Sequence, residues 1–211
     1  MNDKFTSISA VSQGQFKDKG SRFIAYAYPV KDVSEVKPIL EAIEKEHHAA
    51  RHHCYAYRIA SFGPEGELSS GGVPSVWRAN DDGEPSGSAG KPILGQIDSA
   101  SLMNVLVVVV RYFGGILLGV PGLIRAYRTA AAEALAAAER KECTAVARYR
   151  LRFPYDTMPE VEKMLKYFGL QVLRRDFSED CLMEVEIPLS LDAQMDEVSK
   201  KMAIFKDKIN S

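Results

Sequence analysis

The chain has 211 residues, of which 26% are charged and 46% hydrophobic, and its 27 basic and 28 acidic side chains leave a formal net charge of -1. This composition is typical of a soluble globular protein with one or two domains, and it excludes a polycation built to coat nucleic acid, although it permits a local basic patch. Three widely spaced cysteines, Cys54, Cys143 and Cys181, form no CxxC pair. They argue against a disulfide scaffold or a zinc knuckle and favour reduced thiols.

The N-terminal segment lacks the apolar run of a secretory signal, and the longest apolar stretches, residues 105–110 and 116–120, are too short to cross a bilayer. We therefore expect a cytoplasmic protein that is not a membrane protein.

Hydrophobic periodicity predicts strands and helices in the first part of the chain. In order, they are a strand at 22–30, a helix capped by Ser34, a strand at 52–62 with a hairpin partner at 73–78, a helix at 93–101, a strand at 104–113 and a helix at 123–140. The strand at 104–113 is a continuous run of apolar, mostly β-branched residues, so we expect it at the centre of a sheet and covered on at least one face. The Ala-rich helix at 123–140 has the strongest intrinsic propensity.

After residue 141 the pattern becomes strand, helix, strand, strand, helix. Strands are predicted at 148–155, 170–178 and 181–190, and helices at 159–169 and 192–205, with a polar turn at 179–180. This order is one strand short of a ferredoxin-like unit, so the sixth element is either very short or missing. We place a domain boundary near residues 141–146.

A polar, glycine-rich loop, DDGEPSGSAG, occupies residues 81–90 ahead of a predicted helix. Its glycines let successive N–H groups face one concavity, so we expect the loop to hold a phosphate or carboxylate. The candidate residues are Asp81, Asp82, Glu84, Ser86, Gly87, Ser88, Gly90 and Lys91. The three acids would repel an anion unless they point away, pair with arginines or bind a divalent cation. The alternative is a tight turn in which Asp and Ser cap the next helix.

A second glycine-rich loop separates the predicted central strand from the long helix. Gly114 and Gly115 open this loop, and Arg111, Arg125 and Arg128 flank it. A helix N-terminus with nearby arginines suits an anion. The alternative is that the glycines let a strand and a helix pack closely, and that Arg111 simply emerges at the end of its strand.

All four histidines lie in HHAARHHC at residues 47–54. His48 and His52 have helical spacing, but a strand is predicted to begin near His52, and the spacing compels no third metal ligand. We expect histidines that are hydrogen-bonded beside the acidic loop, with no metal site. His53 is a candidate for proton transfer. Ser86 lacks the G-x-S-x-G pattern of a nucleophilic serine, so no catalytic residue is assigned.

Three segments, ARHHCYAYRI at 50–59, NDDGEPSGSAGKPIL at 80–94 and VVVVRYFGGILLGVPGLIRAY at 107–127, resemble the signature segments of the YigZ/IMPACT family. The resemblance implies an α+β protein with two domains. Residues 1–141 would form an IMPACT-type α/β sandwich similar to domain four of the translocating elongation factor, and 142–211 a ferredoxin-like domain. The resemblance also implies that eukaryotic relatives regulate translation and carry an extra partner-binding module, which we do not expect in this chain. Pro121, where many members have glycine, departs from the family pattern.

The two loops and this resemblance predict a cytoplasmic, translation-related regulator that binds RNA or a ribosome-associated component, without catalysis or a cofactor. The rival hypothesis is an enzyme or sensor for a small phosphorylated or carboxylated ligand, in which the DDGE acids bind a divalent ion and His53 assists proton transfer. A third is a protein–protein adaptor that uses the ferredoxin-like sheet. The sequence does not predict the oligomeric state.

Overall fold

A computed structural model describes residues 3–60, 67–68, 74–177 and 181–209. The chain divides into two compact units. The N-terminal unit comprises Phe5–Cys143, and the C-terminal unit comprises Thr144–Ser211 together with Met1–Lys4. Each unit has its own arrangement of strands and helices.

The N-terminal unit is built on a six-stranded sheet with the order β2-β3-β7-β4-β6-β5, and β1 pairs with β8 in a separate two-stranded sheet. Every pairing within the six-stranded sheet is antiparallel. The strands are β1 (Lys4–Ile8), β2 (Ser12–Asp18), β3 (Ser21–Pro29), β4 (His52–Ala60), β5 (Glu67–Leu68), β6 (Pro74–Asn80), β7 (Val105–Tyr112) and β8 (Arg140–Thr144).

Helices cover both faces of this sheet. The helices are α1 (Val36–Glu46), α2 (Gly90–Ser99) and α3 (Gly119–Ala136). Val105, Val107 and Val109 of β7 pack in the core that α2 and α3 cover, while the alternate residues of the strand pack with α1. The prediction of a central, buried strand is therefore confirmed, because successive side chains of β7 point into two different cores.

The C-terminal unit has the element order β-α-β-β-α-β. Its strands are β9 (Val146–Phe153), β10 (Gln171–Asp176), β11 (Cys181–Pro188) and β12 (Phe205–Lys208), and its helices are α4 (Met158–Phe168) and α5 (Asp192–Lys201). The sheet order is β10-β11-β9-β12. The short β12 supplies the sixth element, which the sequence pattern left as very short or missing. The predicted turn at 179–180 lies outside the described residues.

The structure differs from the predicted elements at several boundaries. Asp32, rather than Ser34, caps the first helical segment, because its carboxylate accepts the N–H of Ser34 while Glu35 reaches back to the Asp32 N–H. Helix α3 starts at Gly119, four residues before the predicted start, and so includes Pro121 in its first turn. Proline is tolerated there because the N–H groups of the first turn have no hydrogen-bond partner within the helix. Strands β1, β2, β5 and β8 were not predicted.

Within the described ranges, no helix combines the length and the apolar composition that crossing a bilayer requires.

Candidate functional site

Both glycine-rich loops leave the same end of the six-stranded sheet. Strands β6 and β7 are each antiparallel to β4, so they run in the same direction. The chain leaves β6 at Asn80 to enter α2, and it leaves β7 at Tyr112 to enter α3. His52, the first residue of β4, pairs with Arg111 near the end of β7. The fold therefore brings the predicted loops and the histidine cluster to one edge.

The first loop is organised around the carboxylate of Asp81. One Asp81 oxygen accepts the N–H groups of Ala89 and Gly90 at 3.0 and 2.8 Å, and the other accepts the Gly87 N–H at 2.8 Å. Burial opposes ionisation of this carboxyl, but the three amide hydrogen bonds and the charge of Lys91 outweigh it, so the pKa of Asp81 is lowered.

Asp81 thus occupies the amides that the sequence analysis assigned to an external anion. The Ser88 hydroxyl is also engaged, since it donates to the Pro85 carbonyl oxygen at 2.6 Å. Gly90 is required by sterics, because a Cβ there would lie 2.5 Å from the Asn80 nitrogen. Asp81 therefore accepts amides at the start of α2, as the capping alternative expects of an Asp, whereas Ser88 does not cap the helix. An external phosphate would first have to displace Asp81. Only Ser86 among the loop's hydroxyl residues is exposed.

Glu84 and Arg111 form a buried ion pair behind the loop. The two residues are 8% and 6% exposed, and Arg111 Nη1 donates to Glu84 Oε1 at 2.6 Å. The buried Tyr127 hydroxyl of α3 donates to the same oxygen at 2.8 Å. Arg111 is therefore neither free at the end of its strand nor available to a ligand. Its pairing with Glu84 links the first loop to β7 and α3.

Two of the four histidines, His52 and His53, contact the loop at Asp82, whereas His47 is hydrogen-bonded to the hydroxyls of Tyr26 and Tyr112. The His53 N–H donates to the Asp82 carboxylate at 2.6 Å, and Nδ1 of His52 donates to the Asp82 carbonyl oxygen at 2.7 Å. His53 Nε2 lies 3.3 Å from the carbonyl oxygen of His47, to which it donates. These contacts agree with histidines hydrogen-bonded beside the acidic loop. All three DDGE acids have protein partners in this arrangement, which leaves the divalent-ion hypothesis without support from their geometry.

Two residues of this cluster were not singled out in the sequence. Cys54 donates to the Asp81 carbonyl oxygen at 3.0 Å and contacts the Tyr127 hydroxyl at 3.3 Å. Burial raises the pKa of the Cys54 thiol, so this cysteine is a poor nucleophile at neutral pH. Tyr127 lies among the apolar positions of α3, where the sequence alone gives no sign that its hydroxyl faces a carboxylate.

The second loop is fixed by a close approach of two backbones. A Cβ on Gly114 would lie 1.9 Å from the carbonyl carbon of Gly20, and the Gly114 N–H donates to the Ser21 hydroxyl at 3.2 Å. Gly115 is exposed and has a φ of +86°, which favours glycine. The amide of Gly114 is thus engaged by the turn between β2 and β3.

The flanking cations lie in two places. Lys91 and Arg128 line one groove between α2 and α3, together with Gly87, Gln96 and Ser99. Arg125 instead donates to Asp18, at the end of β2, at 2.7 Å. Among the described residues, no acidic side chain is within ion-pairing distance of Lys91 or Arg128. The structure therefore brings Gly87, Lys91 and Arg128 together and holds Arg111 and Arg125 in ion pairs elsewhere.

Residues 19–135 match the family model described as the Impact N-terminal domain, which spans both loops and the polar cluster. The chain is also 34% identical to the IMPACT family member YigZ of Escherichia coli (strain K12) over 187 residues, which is 89% of this chain and 86% of that protein.

The chain belongs to the IMPACT family.

Two further comparisons extend this assignment. Protein IMPACT of Homo sapiens is 36% identical over 104 residues, which cover 48% of this chain and 29% of the human protein. A solved structure described as a crystal structure of a hypothetical protein has a TM-score of 0.73 and 27% identity, with 100% of both chains covered. The Asp81 cap, the Glu84–Arg111 pair and the α2–α3 groove all lie within the matched IMPACT domain.

Proposed function

We propose that this IMPACT family member is a cytoplasmic, translation-related regulator that acts without catalysis by binding RNA or an RNA-containing ribosomal component. The regulatory part rests on the resemblance described above. We further propose that residues 1–141 form a domain similar to domain four of the elongation factor and that 142–211 form a ferredoxin-like domain. The binding part rests on one feature of the N-terminal unit, the groove between α2 and α3.

The groove has the size and charge to accept a segment of phosphate backbone. Its volume is about 570 Å³, and it is lined by Gly87, Lys91, Pro92, Gly95, Gln96, Ser99, Ile124 and Arg128. The lining contains two cations and no acid, so the side chains that a phosphate would touch there carry positive charge. The Gln96 amide can donate to a phosphate oxygen. The Ser99 hydroxyl donates to the Gly95 carbonyl oxygen at 2.7 Å and can accept from a ribose hydroxyl.

A binding role fits the way in which the reactive side chains are used. Asp81 caps a helix, Glu84 pairs with Arg111, and the thiol of Cys54 has a raised pKa. Each of these groups has a hydrogen-bond partner within this edge of the sheet. The proposal therefore assigns no catalytic residue, and it assigns ligand contact to Lys91 and Arg128.

The experiment measures RNA affinity as a function of salt. Binding to a labelled single-stranded RNA and to a labelled ribosomal RNA hairpin is measured by fluorescence anisotropy. For the wild type, the logarithm of the association constant is plotted against the logarithm of the salt concentration to give a slope. Lys91→Ala and Arg128→Ala are each expected to weaken binding to all sequences and to reduce the magnitude of that slope by about 1, because each removes one phosphate contact.

Lys45→Ala is the matched control. Lys45 is exposed in the last turn of α1, which covers the opposite face of the sheet, so its removal should leave the slope unchanged. Salt-independent binding, no binding at low salt, or equal losses in all three variants would refute the groove as an RNA site.

The same groove favours a second candidate, a sensor of a small phosphorylated ligand. Its volume of about 570 Å³ falls within the range of small-molecule sites. A thermal-shift screen of nucleotides and phosphosugars separates the two. Stabilisation by one compound that is lost in Arg128→Ala supports the sensor, whereas a flat response with salt-dependent RNA binding supports the regulator.

A further inference from the structure

Four apolar side chains are exposed between the end of β7 and the first turn of α3. Phe113, Ile116, Leu117 and Val120 are 43%, 56%, 82% and 45% exposed. We call residues 113–120 the apolar loop. Single exposed apolar residues are common, but a contiguous group marks a surface that another molecule covers.

The fold holds this loop in its exposed form. Gly114 packs backbone to backbone against Gly20 and donates to Ser21, as described above. Leu118 packs against the main core, which anchors the middle of the loop. Gly119 has a φ of +69°, a conformation that glycine adopts without strain. The exposed side chains are therefore displayed on a fixed support, which lowers the entropy cost of binding a partner.

Positive charge borders the apolar loop. Lys19 lies in the turn whose Gly20 touches Gly114, and it is exposed. Arg22 pairs with Tyr112, the residue before the apolar loop, and its guanidinium lies 4.7 Å from the centre of that ring, on the side of the sheet that α1 covers. Within the part of the chain that the structure describes, neither cation forms an ion pair. Asp18, the acid at the start of this turn, is already paired with Arg125.

We propose that the apolar loop, with Lys19 and Arg22 at its border, is a docking surface for a protein segment that carries apolar side chains flanked by aspartate or glutamate. The apolar side chains of the segment would cover Ile116 and Leu117, and its acids would meet the two cations. Such complementarity determines which partners bind and accelerates their association. This surface is separate from the α2–α3 groove, and its test does not depend on RNA binding.

The chemistry of the loop favours protein over other partners. The one aromatic ring of the apolar loop, Phe113, already has the Arg111 guanidinium 5.6 Å from its centre. The aliphatic side chains of Ile116, Leu117 and Val120 have no ring on which a nucleic-acid base can stack. The loop also lacks the tryptophan and tyrosine that anchor proteins at the bilayer surface, and four side chains offer little area, since even a full myristoyl chain binds membranes only marginally. Aliphatic side chains beside unpaired cations match an acidic amphipathic segment.

Panning a random peptide library displayed on phage against the full chain tests the proposal. Wild type is expected to enrich peptides that combine apolar residues with aspartate or glutamate. Leu117→Asp should weaken binding of an enriched peptide at least about tenfold by anisotropy, because it places a charge at the centre of the contact. The double variant Lys19→Glu and Arg22→Glu should enrich basic peptides instead, because it reverses the border charge.

Val11→Asp and Lys45→Glu are the controls, since both alter exposed positions away from the apolar loop, and both should bind the enriched peptide as the wild type does. Unchanged melting temperatures show that every variant folds. Enrichment without acidic residues, no enrichment, or peptide binding retained by Leu117→Asp would overturn the proposal. So would Leu117-dependent sedimentation with phosphatidylglycerol vesicles, because that result would identify a lipid surface as the occupant.

Discussion

The carboxylate of Asp81 does for the first loop what an external anion does for a phosphate-binding loop. It accepts three N–H groups at or near the start of α2, within 2.8 to 3.0 Å. The glycines at 87 and 90 serve the same purpose in both cases, because they allow several amides to converge on one acceptor. A loop with this composition can therefore bind its own aspartate as readily as a ligand.

This arrangement makes stability depend on the ionisation of Asp81. The pKa of this carboxyl is lowered from its ordinary value of 3.8, so its contribution is complete above that value and is lost as pH falls through the folded-state pKa. Asp81→Asn should lower the free energy of unfolding by about 1–3 kcal/mol at neutral pH. The difference between variant and wild type should shrink as pH falls below 3.8.

Urea unfolding across this pH range measures the effect, with Asp207→Asn, at an exposed position of β12, as the control. A difference that stays constant with pH would show that Asp81 does not act through its charge.

The packing of α3 on β2 depends on a single glycine. A Cβ on Gly14 would lie 2.3 Å from the Ala134 nitrogen and 2.7 Å from Glu133 Cβ. Strand β2 can therefore approach α3 closely only because this position has no side chain. This close contact with α3 helps to explain why β2, whose residues are mostly polar, is part of the sheet.

Two glycine-to-alanine substitutions should have opposite effects. Gly14→Ala should destabilise the protein by about 1–3 kcal/mol, because the added methyl group collides with the backbone of α3. Gly95→Ala, inside α2 with nothing within 4 Å of the new Cβ, should stabilise it by about 0.5–1 kcal/mol through helix propensity. Urea or thermal unfolding of the two variants measures both. A Gly14→Ala variant as stable as wild type would contradict the close packing of β2 and α3.

The C-terminal unit also includes residues from the start of the chain. The Asp3 carboxylate accepts the hydroxyl and the N–H of Ser190 at 2.5 and 3.2 Å, and the Asp3 carbonyl oxygen accepts the Ala145 N–H at 2.6 Å. The hydrogen bond from the Ser190 hydroxyl lowers the pKa of Asp3 against the effect of its burial. Asp3, near the start of the chain, therefore helps to stabilise the C-terminal unit.

Asp3→Ala should loosen the C-terminal unit selectively. Hydrogen exchange measured by mass spectrometry should show faster exchange in residues 144–209 and unchanged exchange in the core strands of the N-terminal unit, because the lost hydrogen bonds all lie in the C-terminal unit. The expected loss of stability is about 1–2 kcal/mol. Asp207→Ala, which removes an exposed acid of the same unit, should leave exchange unchanged. Equal acceleration in both units would contradict a local role for Asp3.

Elements with strong local signals could be predicted from the order of the residues. The continuous apolar run of β7, the Ala-rich α3 and the strand–helix–strand–strand–helix order after residue 141 were predicted because periodicity and propensity act over neighbouring residues. The same local pattern placed the glycines and acids of the first loop ahead of α2. It left open whether Asp81 would cap that helix or an external anion would occupy its amides.

The partners of the charged residues could not be predicted from local patterns, because they come from distant parts of the chain. Glu84 and Arg111 are 27 residues apart, and Tyr127 lies 43 residues from Glu84, yet all three meet at one buried oxygen. Strand β2 has no apolar run that local pattern could detect, and it forms because β3 and α3 provide its hydrogen bonds and its contact surface. Such pairings depend on how β4, β6 and β7 align in the sheet, and residues distant in sequence acquire a common neighbour only once that alignment exists.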